Sequence, residues 1–322
     1  MTRDTALIVG KRFVPNAKSA DRYNNFRQDP LAYVSNSAAC GVDSTGVIEA
    51  RVVSRCVITV RSAVAVDSVH VSVVPQGSLV LIQLDFGGAR GSVVTMALDG
   101  SNVRVRARLV FFDAFPSATR DASRIVFREQ DRLYIVEDSA PPRRLVSASH
   151  RLAWEGWPRF AADGTWIYFA GGTDGNPNVY RVRPDGSALE QITSGGSSTT
   201  PDPSPDGTKL SYTGDGLIRI MTLGNASSLI TSVRGTQPRW SPSGNRIAFL
   251  DAGSVNLINA DGSNARQITA GVSYHDYSGL DWSADGNWII ARSLNTLDLI
   301  NVATSEVLPL PFQRSYQAAF LR

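Results

Sequence analysis

Lysine is almost missing from this 322-residue chain: Lys11, Lys18 and Lys209 are the only three, and the remaining positive charges are arginines scattered without a run. With a formal net charge of +3 the chain has no concentrated basic stretch of the kind a nucleic-acid groove needs, so nucleic acid is not expected as a partner. The two cysteines, Cys40 and Cys56, form no C-x-x-C or Cys/His set. That argues against structural zinc and leaves one disulfide or two buried thiols as the alternatives. The three histidines, His70, His150 and His275, are too few and too dispersed for a multi-histidine metal centre. No apolar run reaches the length of a transmembrane helix, and no segment carries a 3.6-residue amphipathic stripe. Met1 to Gly10 lacks the basic start, apolar core and cleavage site of a signal peptide. Either the protein stays in the cytoplasm, or its export signal lies outside this sequence. What is present is ordinary for a globular chain, 43% hydrophobic and 19% charged, enough for two domains or one large all-β domain.

The stretch from Asp202 to Thr213, DPSPDGTKLSYT, resembles the first half of a calcium loop. Thr213 stands where such a loop needs a bidentate glutamate, and the sister copies of the phrase lose the candidate ligands while keeping the turn. Those copies are Phe160 to Phe169, Trp240 to Phe249 and Trp282 to Ala291, with weaker ones at 121–127 and 75–81. Equivalent positions fall at 77, 122, 164, 207, 244 and 286, at intervals of 45, 42, 43, 37 and 42. Two further marks keep the same beat: Asp-Gly-Ser at 99, 185 and 261, and Ile-Thr at 192, 230 and 268. A period near 40 built from short β-branched and aromatic runs predicts four-stranded propeller blades. Asp-Gly occupies the turns because antiparallel hairpins need residues at positive φ there. Neither a metal nor a cofactor is expected.

The phrase W-S-P-[DS]-G-x-x-[IL]-[AS]-[FY], followed by D-G-S and then [QL]-[IL]-T, resembles the TolB-like, WD40-like (PD40) β-propeller repeat. The resemblance covers residues 76–322 and implies six blades. Residues 1–75 break the beat. Ala6 to Gly10, Asp21 to Asn25, Tyr33 to Asn36 and Val42 to Ala50 resemble a bacterial Ig-like domain of the Big2 type, with Cys56 to Val60 and Val69 to Pro75 as its last strands. Asn24 and Tyr33 depart from the glycine and tryptophan of that pattern. The expected architecture is all-β: an N-terminal Ig-like β-sandwich (1–75) followed by a six-bladed β-propeller (76–322). If Val69 to Val74 belongs to the sandwich, the first blade lacks its innermost strand. Tyr316 to Phe320 is then expected to supply it and close the ring, which removes exposed edges.

In a propeller the loops before the inner strands gather at one mouth. Here they would bring together Trp154, Trp157, Tyr274, Tyr277 and Tyr316 with Arg159, Arg239 and Arg314, and with His275 beside Asp276. Aromatics among arginines suit a sugar, a peptide or an acidic protein surface. Trp240 and Trp282, which belong to the repeat phrase, are expected to fill the space between blades instead. No G-x-S-x-G elbow is present. The resemblance implies a monomeric, non-enzymatic binding or scaffold protein of the bacterial envelope or exterior: periplasmic, outer-membrane-associated or extracellular. Its partner at the mouth would be a protein or a glycan. The alternative is an oligogalacturonide-type polysaccharide lyase or hydrolase acting there through His150, His275 and Arg314.

Overall fold

The computed structural model describes residues 4–20, 23–85, 90–110, 114–138, 140–173, 175–224, 228–274, 279–293, 296–312 and 315–321. Among them the regular structure is β throughout, apart from one 3₁₀ turn at Ala148–His150. No described helix is long and apolar enough to cross a membrane. The chain divides into two compact units. One comprises Met1–Gly77, Met96–Asn102 and Leu308–Pro311; the other comprises Ser78–Thr95, Val103–Val307 and Phe312–Arg322.

In the first unit a four-stranded sheet runs Thr5–Ile8, Val66–Val74, Ser54–Arg61, Ala32–Ser35, and a three-stranded sheet runs Arg12–Phe13, Ile48–Ala50, Cys40–Val42. Along Ser54–Arg61 the burial alternates, turning Cys56, Ile58 and Val60 inward, as a strand's two-residue side-chain period requires. Cys56 and Ile58 meet Leu7, Val71 and Val73 of their own sheet and Cys40, Ile48 and Ala50 of the other in one core. Cys40 and Cys56 are joined by a disulfide with Cα atoms 6.1 Å apart, which resolves the two alternatives the sequence leaves open.

The described residues also form six antiparallel four-stranded sheets in chain order, an arrangement consistent with a β-propeller. The strands that begin the second to sixth sheets are Ser117–Ala118, Trp154–Phe160, Ser198–Pro203, Thr236–Trp240 and Leu280–Trp282. The first sheet begins instead with Ser315–Phe320, which pairs antiparallel with Ser78–Leu84, Leu79 opposite Phe320 and Gln83 opposite Ser315. The C-terminal strand thus takes the vacant inner place expected for it. Trp240 packs with Ile218 and Ile220 of the fourth sheet and Ile247 of the fifth. Trp282 packs with Ala248 and Leu250 of the fifth and Ile289 of the sixth. Both indoles are therefore mortar between neighbouring sheets, and burying each contributes roughly 2–3 kcal/mol.

The repeated turns follow one hydrogen-bond scheme. Asp206 Oδ1 accepts from the Thr208 amide at 3.0 Å and from the Ser204 hydroxyl at 2.5 Å, while Ser204 Oγ accepts from the Lys209 amide at 2.8 Å. Asp285 with Ser283 and Asn287 repeats the pattern in the sixth sheet. Gly164, Gly207, Gly244 and Gly286 sit at φ between 67° and 71°, where a Cβ would be strained. Gly77, read above as another copy, is not at positive φ, because the strand before it in its own sheet comes from the C-terminus. Asp206, the acidic residue of DPSPDGTKLSYT that lies in the turn, is thus occupied by the turn itself.

These turn carboxylates set an acid limit on stability. Hydrogen bonds from Thr119 and Ser123 draw Asp121 down from 3.8 to about 2, and hydroxyl and amide donors lower Asp43, Asp185, Asp206 and Asp261 as well. A depressed folded-state value stabilises the fold above the ordinary carboxylate pKa and is lost as pH falls through the folded value. Melting temperature is therefore expected to hold down to about pH 4 and to fall between about pH 4 and pH 2. Asp121→Asn and Asp206→Asn together should flatten that decline in a pH-scanned melt.

Candidate functional site

One position recurs on the first strand of every sheet, just before the residue that opens the turn phrase. It carries Ser117, Arg159, Asp202, Arg239, Asp281 and Ala319 in the second, third, fourth, fifth, sixth and first sheets. Two residues upstream of each, the backbone is left-handed: φ is 42° at Phe115, 50° at Trp157, 49° at Thr200, 52° at Gln237, 70° at Gly279 and 46° at Gln317. In the first, third, fourth and fifth sheets the strand register shifts across this residue, as at a β-bulge. The extra residue re-aims the strand and turns the following side chain inward. Tryptophan and threonine are poor occupants of that conformation, which costs about 1–3 kcal/mol at each such residue. At Gly279 a Cβ would stand 2.9 Å from the Gln317 backbone, so glycine is required there.

These six side chains alternate in role. Ser117 Oγ accepts from the Phe160 amide of the next sheet at 3.2 Å, Asp202 Oδ2 from Trp240 N at 2.7 Å, and Asp281 Oδ2 from Phe320 N at 3.0 Å. Between these acceptors stand Arg159, Arg239 and Ala319. Arg159 reaches across the centre, donating from Nε to Asp202 at 2.9 Å and from Nη2 to Asp281 at 2.8 Å. Its side chain is 10% exposed and those of the two aspartates 3% and 2%, so the cluster sits almost wholly out of water. Burial alone would lower the Arg159 pKa, but Asp281 and Asp202 outweigh it and hold the guanidinium more firmly charged than usual. Arg239 donates to Leu280 O at 3.0 Å and Pro238 O at 2.9 Å.

A cavity of about 250 Å³ lies on the turn side of this ring. Ser117, Arg159, Asp202, Asp281 and Ala319 form its floor; Ala161, Ala162, Pro203, Pro205, Pro242, Ala284, Phe160 and Phe320 form its walls and rim, with Arg120 exposed at the edge. On the opposite side, among Phe115, Trp157, Arg239 and Gln317, only about 20 Å³ is open. Among the described residues no group of three or more His, Cys, Asp or Glu stands close enough to hold a metal ion.

The residues singled out from the sequence are placed differently from one another. Trp154 and Trp157 stack edge to face at 5.6 Å, and Trp157 also meets Phe115 at 5.7 Å. Arg159 and Arg239 are buried members of the ring, bound to protein groups. Tyr274 is 2% exposed and donates to Asp298 Oδ2 at 3.3 Å; burial, then the Asp298 charge, push its hydroxyl pKa up. Tyr316 lies under the Arg292 guanidinium at 3.5 Å. His150 closes the 3₁₀ turn and is exposed. His275, Tyr277 and Arg314 lie outside the described residues. The cavity opens at the ends of the strands away from the loops on which the sequence reading centred. Asp202, Asp281, Ser117 and Ala319, absent from that reading, line it. A signal for most of them was there: the ring residue falls five positions before each turn position at 122, 164, 207, 244 and 286.

No family model matches the sequence. An uncharacterized protein of Agrobacterium fabrum is 34% identical over 112 residues, a match covering 29% of this chain and 38% of that protein. The chain thus spans well under half the length of the curated relative it matches. Among solved structures, TolB from Acinetobacter baumannii superposes with a TM-score of 0.62 at 16% identity, over 91% of this chain and 83% of that one. A putative TolB from Agrobacterium tumefaciens gives 0.59 at 15% identity, over 77% and 99%. A chain of the nidogen/laminin complex gives 0.60 at 10%, over 76% and 99%. At these identities the likeness is one of fold, and the fold is a TolB-like β-propeller.

Proposed function

We propose that this protein is a non-enzymatic binding module of the bacterial envelope or exterior. In this reading residues 76–322 form a six-bladed PD40-type propeller that takes a segment of a partner polypeptide into the cavity on its turn side. Residues 1–75 form an Ig-like, Big2-type spacer. The cavity carries the reading: a rim of prolines and alanines over an ion-paired floor. Prolines, alanines, Phe160 and Phe320 line much of the cavity, and Arg159, Asp202 and Asp281 on its floor are already paired with one another, which suits a peptide better than a sugar, whose hydroxyls would need polar partners. Catalysis is disfavoured because Asp202 and Asp281 are engaged by Arg159 and by backbone amides, leaving the floor without a poised general acid or base. The Cys40–Cys56 disulfide favours an oxidising compartment, in keeping with export.

Selecting a random peptide library on the intact chain tests this reading. Ala284 is exposed on the rim, so Ala284→Trp should leave the melting temperature unchanged while filling the entrance. Selected peptides are expected to lose binding at least about tenfold on that variant, a loss of 1.4 kcal/mol. Failure to select any peptide, or binding indifferent to Ala284→Trp, would overturn the reading.

A further inference from the structure

In the first unit the strand Val66–Val74 is paired along only part of one side. It is nine residues long, and Thr5–Ile8, its parallel neighbour, covers Val71–Val74 alone. Among the described residues no strand lies beside Val66–His70 on that side. Val74 O accepts from Val9 N across this edge, and backbone groups alternate along a strand, so those of Val66, Ser68 and His70 face the same way. Asp67 Oδ1 takes the Ser68 amide at 2.8 Å; the rest of the row has no partner among the described residues. A groove of about 750 Å³ lies against the same edge, lined there by Asp67, Ser68 and Val69. Phe13, Leu31, Val60 and Val69 are its apolar lining. Phe13 and Val69 also pack against the core built on Ile58 and Val71, so the core of the first unit continues into the groove. Val14, Val64 and Val66, on the segments that form its walls, are 60–66% exposed. The charged side chains of the lining are engaged locally: Asp67 by the Ser68 amide, Asp4 Oδ1 at 3.7 Å from His70 Nδ1, and Lys18 over Phe26 at 4.9 Å.

We propose that this groove receives an extended, uncharged segment of a partner polypeptide, which adds to the sheet as a strand along Val66–His70 and completes the core with apolar side chains at alternate positions. Two observations select this occupant. The unpaired row of backbone groups calls for donors and acceptors spaced as on a strand, which an acyl chain or an apolar small molecule lacks. The apolar lining beside that row calls for side chains on one face, and a strand supplies one at every second residue. An acidic or basic segment would find the charges of the lining already engaged. At 3.4 Å per residue Val66–His70 spans about 17 Å, the length of a five-residue strand. The site belongs to the first unit alone and does not depend on the propeller cavity.

The test uses the intact chain and three blocked peptides, Gly-Ser at each end, read by isothermal titration calorimetry. Their centres are Val-Thr-Val-Thr-Val, the same residues reordered as Thr-Val-Val-Val-Thr, and Val-Thr-Pro-Thr-Val. The alternating peptide is expected to bind about tenfold more tightly than either of the others, because proline takes a donor from the ladder and the reordered peptide cannot keep its valines on one face. It is also expected to slow amide exchange at Val66 and His70 about tenfold, read residue by residue by NMR. Ala65 is exposed at the groove, so Ala65→Trp should fill the groove at an unchanged melting temperature and weaken the alternating peptide about tenfold. Ala284→Trp, in the propeller cavity, is expected to leave this binding as it is. Equal binding of the three peptides, no binding of any, or unchanged exchange at Val66 and His70 with peptide bound would overturn the proposal. So would full binding by an Ala65→Trp protein that melts like the wild type; if that variant melts lower, the exchange measurement on the wild type decides. Sedimentation showing a dimer that Ala65→Trp dissociates would assign the groove to a second copy of the chain and overturn the separate partner.

Discussion

Replacing Arg159 by methionine is expected to cost the propeller about 3–5 kcal/mol, the largest effect anticipated for any single side chain here. The arginine is one partner in two buried ion pairs at 2.9 and 2.8 Å, and its loss takes from two carboxylates, 3% and 2% exposed, the cation that pairs with both. The damage should spread beyond the third sheet, because Asp202 also holds Trp240 N of the fifth and Asp281 holds Phe320 N of the first. Urea unfolding followed by tryptophan fluorescence is the measurement. All six tryptophans, at 154, 157, 166, 240, 282 and 288, lie in the propeller portion of the chain, so the signal reports that unit alone. Combining Arg159→Met with Asp202→Asn and Asp281→Asn should recover most of the loss. The amide oxygens still accept from the two backbone amides, and no unpaired charge remains. A loss below about 1 kcal/mol in Arg159→Met would mean that the cluster is solvated, as only exposed pairs are that weak.

Removing the disulfide is expected to be almost as costly, and to act on the other unit. Cys40 and Cys56 are 16 residues apart, and closing a loop of that size stabilises a fold by about 3 kcal/mol through the unfolded chain. The bond also joins the two sheets of the first unit through the middle of their shared core, where both cysteines are 2% exposed. Substituting both by alanine should raise amide exchange across Ile48–Ala50 and Ser54–Arg61 by about a hundredfold, the equivalent of that energy. Mass spectrometry resolves those peptides from the rest of the chain. Unchanged exchange there would show that the core of Ile48, Ile58, Val71 and Val73 suffices without the cross-link.

Much of this was legible from the residues because strand and turn chemistry is local. The 40-residue beat, the Asp-Gly turns and the alternation of apolar residues are imposed by hairpin geometry and by one sheet packing on the next. Even the strand that closes the first sheet could be anticipated, since a phrase ending in an aromatic at Phe320 was left over at one end and an inner place was empty at the other. The cysteine pairing could not be settled, because a separation of 16 residues fixes neither the distance nor the direction of two Cβ atoms. The loop aromatics misled for a related reason. Tyr274 and Tyr316 look like surface anchors in a list of residues, yet one is buried against Asp298 and the other lies under Arg292.

The sequence by itself determined that the chain is β throughout, where it repeats and where it turns, since each of these follows from φ/ψ preference and spacing within a few residues. Only the tertiary structure decided what the repeat presents at its centre. Ser117, Arg159, Asp202, Arg239, Asp281 and Ala319 are roughly 40 residues apart along the chain, and each follows by two a left-handed residue on the first strand of its sheet. The pairing of Arg159 with Asp202 and Asp281, and their burial, are properties of three sheets together, and no one repeat contains them.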